Sequence, residues 1–115
     1  GGSWLPQPAE WAGLSVAAQT GDPHSTLELY RAAIELRRAM PGLGAPEPGG
    51  TGMRWLEGPQ GVLVFARPDF VCTLNTRSAP VALPAPGRPV LSSSPVETDG
   101  REVVLPPATC TWWAM

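Results

Sequence analysis

The sequence predicts a mainly β fold, an antiparallel β-sandwich preceded by one amphipathic helix. Three observations predict it. Residues 22–40 carry a helix-start signal followed by apolar positions at helical spacing. From Met53 onward the pattern changes to short runs of period two. The 15 Pro and 13 Gly are well above average use and concentrate after Met40, where they separate those runs with turns.

Asp22-Pro23 predicts the helix start, with Asp as N-cap and Pro at the first helical position. The helix is expected to reach about Met40, because Pro41 disfavours helical backbone in the residue before it. Stepping about 100° per residue puts Leu27, Leu29, Tyr30, Ala33, Ile34, Leu36 and Met40 on one side. His24, Glu28, Arg31, Glu35 and Arg38 take the other. The apolar arc covers about half the circumference, more than one partner surface requires, so the helix is expected to touch two neighbours. Arg37 falls inside that arc. It must snorkel to water or meet a carboxylate, because an unpaired buried charge is costly. Snorkelling suits an isolated domain, and a lost ion-pair partner suits a chain that packs against something else.

After the Pro/Gly connector 41–52, Met53 to Leu56 is read as a first strand turning through "EGPQG". "VLVFAR" (62–67) and "FVCTLN" (70–75) predict a hairpin through Pro68-Asp69. Further short strands are expected at 81–83, 90–92, 102–105 and 109–113, with Asp99-Gly100 as a hairpin turn. Seven short runs divided by turn signals favour an antiparallel sandwich over a parallel sheet. Trp112 and Trp113 are adjacent, so on a strand one faces the core and the other faces out. The expected organisation is residues 1–43 with the helix and 44–115 as the sandwich.

Composition excludes several functions. Eight Arg, no Lys and ten acidic residues give a formal net charge of −2, with no basic cluster, so neither nucleic acid nor an anionic membrane is an expected partner. No apolar run approaches the ~20 residues of a membrane span. No signal-peptide pattern is visible. Cys72 and Cys110 lie in strand-like runs and read as two reduced, buried thiols of a cytoplasmic protein, with one cross-strand disulfide as the alternative.

Chemistry is hard to find. The single histidine, His24, is expected in the first helical turn on the polar face, where a solvated role outweighs a catalytic one. One His and two separated Cys make no metal-ligand spacing, and no phosphate-cradling motif occurs, so no metal and no cofactor is expected. Glu47, Glu57, Asp69, Glu97 and Asp99 lie in or beside turns, where carboxylates are ordinarily solvated. No catalytic residue is assigned. Five tryptophans, Trp4, Trp11, Trp55, Trp112 and Trp113, allow either core filling or a stacking platform for sugars. The segment Ser3 to Pro23 begins with large apolar surface and reads as the middle of something larger.

"SWLPQPAEWAGLSVAAQTGDPHSTLELYRAAIELRRAMPGL" resembles the end of the catalytic domain in α-glucosidases and related α-glucan enzymes of glycoside hydrolase family 13. In that family a "WLP" stretch leads into "SV..Q..DP.S.L.LYR..I.LR...P.L". The matching pieces are Trp4-Leu5-Pro6, Ser15-Val16, Gln19, Asp22-Pro23, Ser25, Leu27, Leu29-Tyr30-Arg31, Ile34, Leu36-Arg37, Pro41 and Leu43. "WLEGPQGVLVFAR", "LNTRSAPVALP" and "LPPATCTWW" are similar to strands of the family's C-terminal β-domain.

The resemblance implies that the helix is the eighth outer helix of a (β/α)8 barrel, with the sandwich packed beside it. One side of the wide apolar arc would then face the barrel, and Arg37, the family's "LR" arginine, would have its partner there. Family members cleave α-glucosidic bonds with retention, using an Asp nucleophile and a Glu acid/base at the ends of barrel strands. None of those strands lies in this chain, so no catalytic position carries over. The expectation is a non-catalytic C-terminal part that supports a barrel, in the same or a separate chain. Its interface candidates are Trp4, Leu5, Trp11, Leu29, Tyr30, Leu36, Arg37, Trp112 and Trp113. The alternative is a sugar-binding or assembly sandwich.

Overall fold

A computed structural model describes residues 5–44 and 52–115, and the chain divides into two compact units, 1–35 and 36–115. Trp4 and Glu47 lie outside the described residues.

In the first unit a 3-10 helix, Ala9–Leu14, leads into a short helix α1, Val16–Gln19, and then into α2, Thr26–Ala39, which continues into the second unit. The motif residues between them form a capping network. Ser15 Oγ accepts from Ala18 N at 3.1 Å and caps α1. Gln19 donates through Nε2 to Leu14 O at 2.7 Å and accepts through Oε1 from Leu27 N at 2.9 Å. Ser25, itself buried, accepts from Glu28 N at 3.2 Å and donates to the Gln19 and Asp22 carbonyls. Two of the otherwise orphaned first-turn amides of α2 are thus satisfied by side chains from outside the helix.

This corrects the expected helix start. Asp22 is not the N-cap, because its Oδ1 accepts from His24 N at 3.0 Å and closes a local turn. Ser25, three residues on, holds that position, and α2 begins at Thr26. His24 is therefore exposed ahead of the helix and not in its first turn. Glu28 accepts from Gly21 N at 3.0 Å and pairs with Arg31 at 3.1 Å. No residue of α2 is buried, on either the apolar or the polar side.

The second unit holds the last turn of α2, a 3-10 turn Pro41–Leu43 and seven strands. The strands are β1 Arg54–Leu56, β2 Val62–Arg67, β3 Phe70–Asn75, β4 Val81–Pro84, β5 Arg88–Ser92, β6 Glu102–Leu105 and β7 Thr109–Ala114. One sheet has the order β1-β2-β3-β7-β5 and the other pairs β4 with β6, with every pairing antiparallel. The β2–β3 hairpin turns through Pro68-Asp69 as expected, with Asp69 at φ 58°. Asp99-Gly100 does form a turn, but it closes a single bridge between Thr98 and Val103, because β5 pairs with β7 and β6 with β4.

The core lies between the sheets. Val62, Val64, Ala66, Val71 and Trp113 from the large sheet meet Val81, Leu83, Val103 and Leu105 from the small one. Its β3–β7 end is polar and fully buried, with Thr73, Asn75, Thr109 and Thr111 at 0 % exposure. Each finds a partner, as burial of a polar group demands. Trp113 Nε1 donates to Thr73 Oγ1 at 2.9 Å, and Thr111 shares a 2.9 Å bond with Ser92 Oγ.

The segment after α2 is held onto the hairpin by Arg67, whose Nε donates to Gly42 O at 2.6 Å and whose Nη2 donates to Gly44 O at 2.8 Å. Gly42 packs so closely on Pro68 that an added Cβ would collide with the Pro68 carbonyl. That atom belongs to backbone and cannot swing aside. Gly42→Ala is expected to lower stability by about 1–3 kcal/mol, as overpacking does. Urea unfolding checks it, and a change below about 0.5 kcal/mol would show that the turn yields freely.

Candidate functional site

Strand alternation sends one set of large-sheet side chains into the core and leaves the other set on the outer face. Partners in register share a face. Trp55 pairs with Phe65, Phe65 with Cys72, Cys72 with Trp112, and Trp112 with Leu91. One apolar row therefore crosses all five strands. A second row runs Leu63, Leu74, Cys110, and a third runs Arg67, Phe70, Ala114. Trp55 is 63 % exposed and Leu63 48 %, whereas Phe65, Leu74, Leu91, Cys110 and Trp112 are half-buried. Ring contacts stiffen the row: Trp55 meets Phe65 edge-on at 5.8 Å, and Phe70 meets Trp112 edge-on at 5.6 Å.

The two tryptophans at the C-terminal end of the chain separate as strand geometry requires. Trp113 is a core ring with 0 % exposure, and Trp112 belongs to the outer face. Of the other candidates, Leu5 (57 %), Trp11 (52 %), Tyr30 (65 %) and Arg37 are exposed, while Leu29 and Leu36 are half-buried. The ion pair among the described residues joins Glu28 to Arg31, and Arg37 takes no carboxylate there. Ile34, 50 % exposed one turn after Tyr30, extends the same open stripe of α2.

Little of this can do covalent chemistry. Among the described residues no group of three His, Cys, Asp or Glu side chains is placed to hold a metal ion. The Asp99 carboxyl is held below its usual range by backbone amides of Glu102 and Arg101, which is turn chemistry. An open groove of about 440 Å³ beside β1 and the β2–β3 turn is lined by Arg54, Arg67, Asp69 and Phe70 among others. One of its two arginines, Arg67, is already engaged by the Gly42 and Gly44 carbonyls. The one reactive constellation is a thiol pair: Cys72 and Cys110 place their Sγ atoms 3.6 Å apart on the outer face. Sequence reading held a cross-strand Cys72–Cys110 pairing only as the alternative to two separate buried thiols and missed the Arg67 clamp, because both depend on which strands and turns meet.

No protein-family model and no curated protein matches the sequence. Solved structures do match in fold. Trehalulose synthase MutB from Pseudomonas mesoacidophila MX-45 superimposes with a TM-score of 0.74 over 96 % of this chain at 18 % identity. A variant of that enzyme from crystals soaked with trehalulose gives 0.76 over 100 % of the chain at 19 % identity. Another, in complex with the substrate sucrose, gives 0.75 over 96 % at 18 %. The chain spans about a fifth of each of these, 21 % or 22 % of its length. They are enzymes of glycoside hydrolase family 13, the family whose C-terminal part the sequence resembles. No helix among the described residues is long and apolar enough to cross a membrane.

Proposed function

We propose that this chain is the last barrel helix and C-terminal β-domain of an α-glucosidase-like enzyme of glycoside hydrolase family 13, non-catalytic alone. One observation carries the reading: a fold match over 96 % or more of this chain takes up only about a fifth of the enzymes it matches. The boundary between barrel end and β-domain is placed near residue 43. Leu5, Trp11, Leu29, Tyr30, Leu36, Arg37 and the outward ring Trp112 are assigned to the surface that meets the barrel. An α2 with no buried residue favours this, since a helix with a wide apolar arc is stabilised mainly by what covers it. The substrate reaches the chain only through the parent enzyme, and the site of action is the cytoplasm.

Glucose or glucosyl-transfer products released from maltose and sucrose test the reading. The isolated 115-residue chain is expected to release none, and a larger native species carrying this sequence is expected to be active. Turnover by the isolated chain overturns the non-catalytic role. An inactive larger species overturns the family assignment.

A second reading rests on Trp55, a 63 % exposed ring braced edge-on by Phe65. It makes the outer face a sugar-stacking platform of a binding module. A saturable tryptophan fluorescence change with millimolar maltooligosaccharides supports it, and no change removes it.

A further inference from the structure

We propose that Cys72 and Cys110 form a reversible redox dithiol, closed to a disulfide by exchange with a low-molecular-weight disulfide of the glutathione class. The two are the only cysteines of the chain, stand 38 residues apart in sequence, and meet with their sulfurs in van der Waals contact at 3.6 Å. They sit on neighbouring antiparallel strands and the same sheet face, because Cys72 is in register with Trp112 and Cys110 with Leu74.

Their surroundings divide the labour. Within this chain Cys110 is half-buried and the more open of the two, whereas Cys72 is only 5 % exposed. Cys110 thiolate attacks the small disulfide, forming a mixed disulfide and expelling one thiolate. Cys72 then loses its proton to solvent and attacks Cys110 Sγ, expelling the second. In sum, two protein thiols are oxidised and one small disulfide is reduced to two thiols. The hydrogen bond from the Cys72 thiol lowers Cys110 to about 7, against the opposing effect of burial and with help from Trp112. Cys72 moves the other way, since its own ionisation would break that bond, add a second charge beside the first and bury it.

Register places the pair in the middle of the apolar face. Cys72 and Cys110 are diagonal neighbours, offset by two residues from direct opposition. Their sulfurs, 3.6 Å apart, must still approach to the ~2.05 Å of a disulfide for the bond to close.

The test exposes the reduced, folded chain to oxidised glutathione and follows intact mass and thiol alkylation. Wild type is expected to lose two hydrogens, block both thiols and recover them in excess reduced glutathione. Cys72→Ala should accumulate a stable glutathione adduct on Cys110, and Cys110→Ala should react at least ten-fold more slowly. Alkylation of Cys110 should rise through pH about 7 in wild type and at a higher pH in Cys72→Ala. In urea the two single variants should react alike, tying the difference to the fold. A wild type that stays reduced, keeps the glutathione adduct or forms covalent dimers overturns the proposal, as do folded single variants with equal rates.

Discussion

Trp113→Ala is expected to remove about 3–5 kcal/mol of stability, the range for deleting a large buried aromatic ring. Among the described residues Trp113 is the largest fully buried side chain, and it belongs to the core between the two sheets. Its removal opens a cavity and also strips Thr73 Oγ1 of its indole donor. Whole domains of this size are stable by only about 5–15 kcal/mol, so the variant should sit close to unfolding. Trp112→Ala, one residue away on the outer face, should cost much less in the isolated chain. Urea unfolding followed by far-UV circular dichroism compares the two. Equal losses would mean that the outer face is packed as tightly as the core.

The second large effect concerns a polar group. Asn75 is fully buried, and its Nδ2 donates to Ala79 O at 3.0 Å, Leu105 O at 3.2 Å and Pro106 O at 3.0 Å. Its Oδ1 accepts from Arg77 N at 3.0 Å. One side chain thereby ties the connection after β3 to the connection after β6. Asn75→Ala should cost about 2–5 kcal/mol, because a fully buried side chain with four backbone bonds is lost and the buried Leu105 carbonyl is left without that donor. Asn75→Asp should be at least as damaging despite its identical shape. Its ionised form accepts only, and it would face three carbonyl oxygens. Thermal unfolding of both variants checks this, and an Asp variant as stable as wild type would contradict the role given to the Asn75 amide.

These two residues mark where sequence reading stops. Strand positions were legible, because the period of two in "VLVFAR" and the turn residues around it act locally. Whether Trp112 or Trp113 faces inward was not, since that depends on the register of β7 against β3, a pairing of residues about 40 apart. The polar core was invisible for a related reason. Thr73, Asn75, Thr109 and Thr111 look like solvent-facing strand residues until β3 and β7 are paired and each hydroxyl or amide finds its buried partner. The helix start failed through competition, as Asp22 and Ser25 are both good capping residues and only the fold shows which one reaches the helix. The thiol pair and the Arg67 clamp needed tertiary distances. The apolar side of α2, by contrast, was read directly, and the structure adds that within the described residues it is at most half-buried.

The central proposal, that this fold is part of a larger enzyme, rests on a helix with no fully buried residue and on the small fraction of the matched structures that the chain spans. Intact mass of the native species carrying this sequence, taken from its source with its bound chains, tests the claim most directly. The account predicts a (β/α)8-barrel portion, continuous with these residues or bound to them. A native species of 12.1 kDa with no barrel chain attached would contradict it.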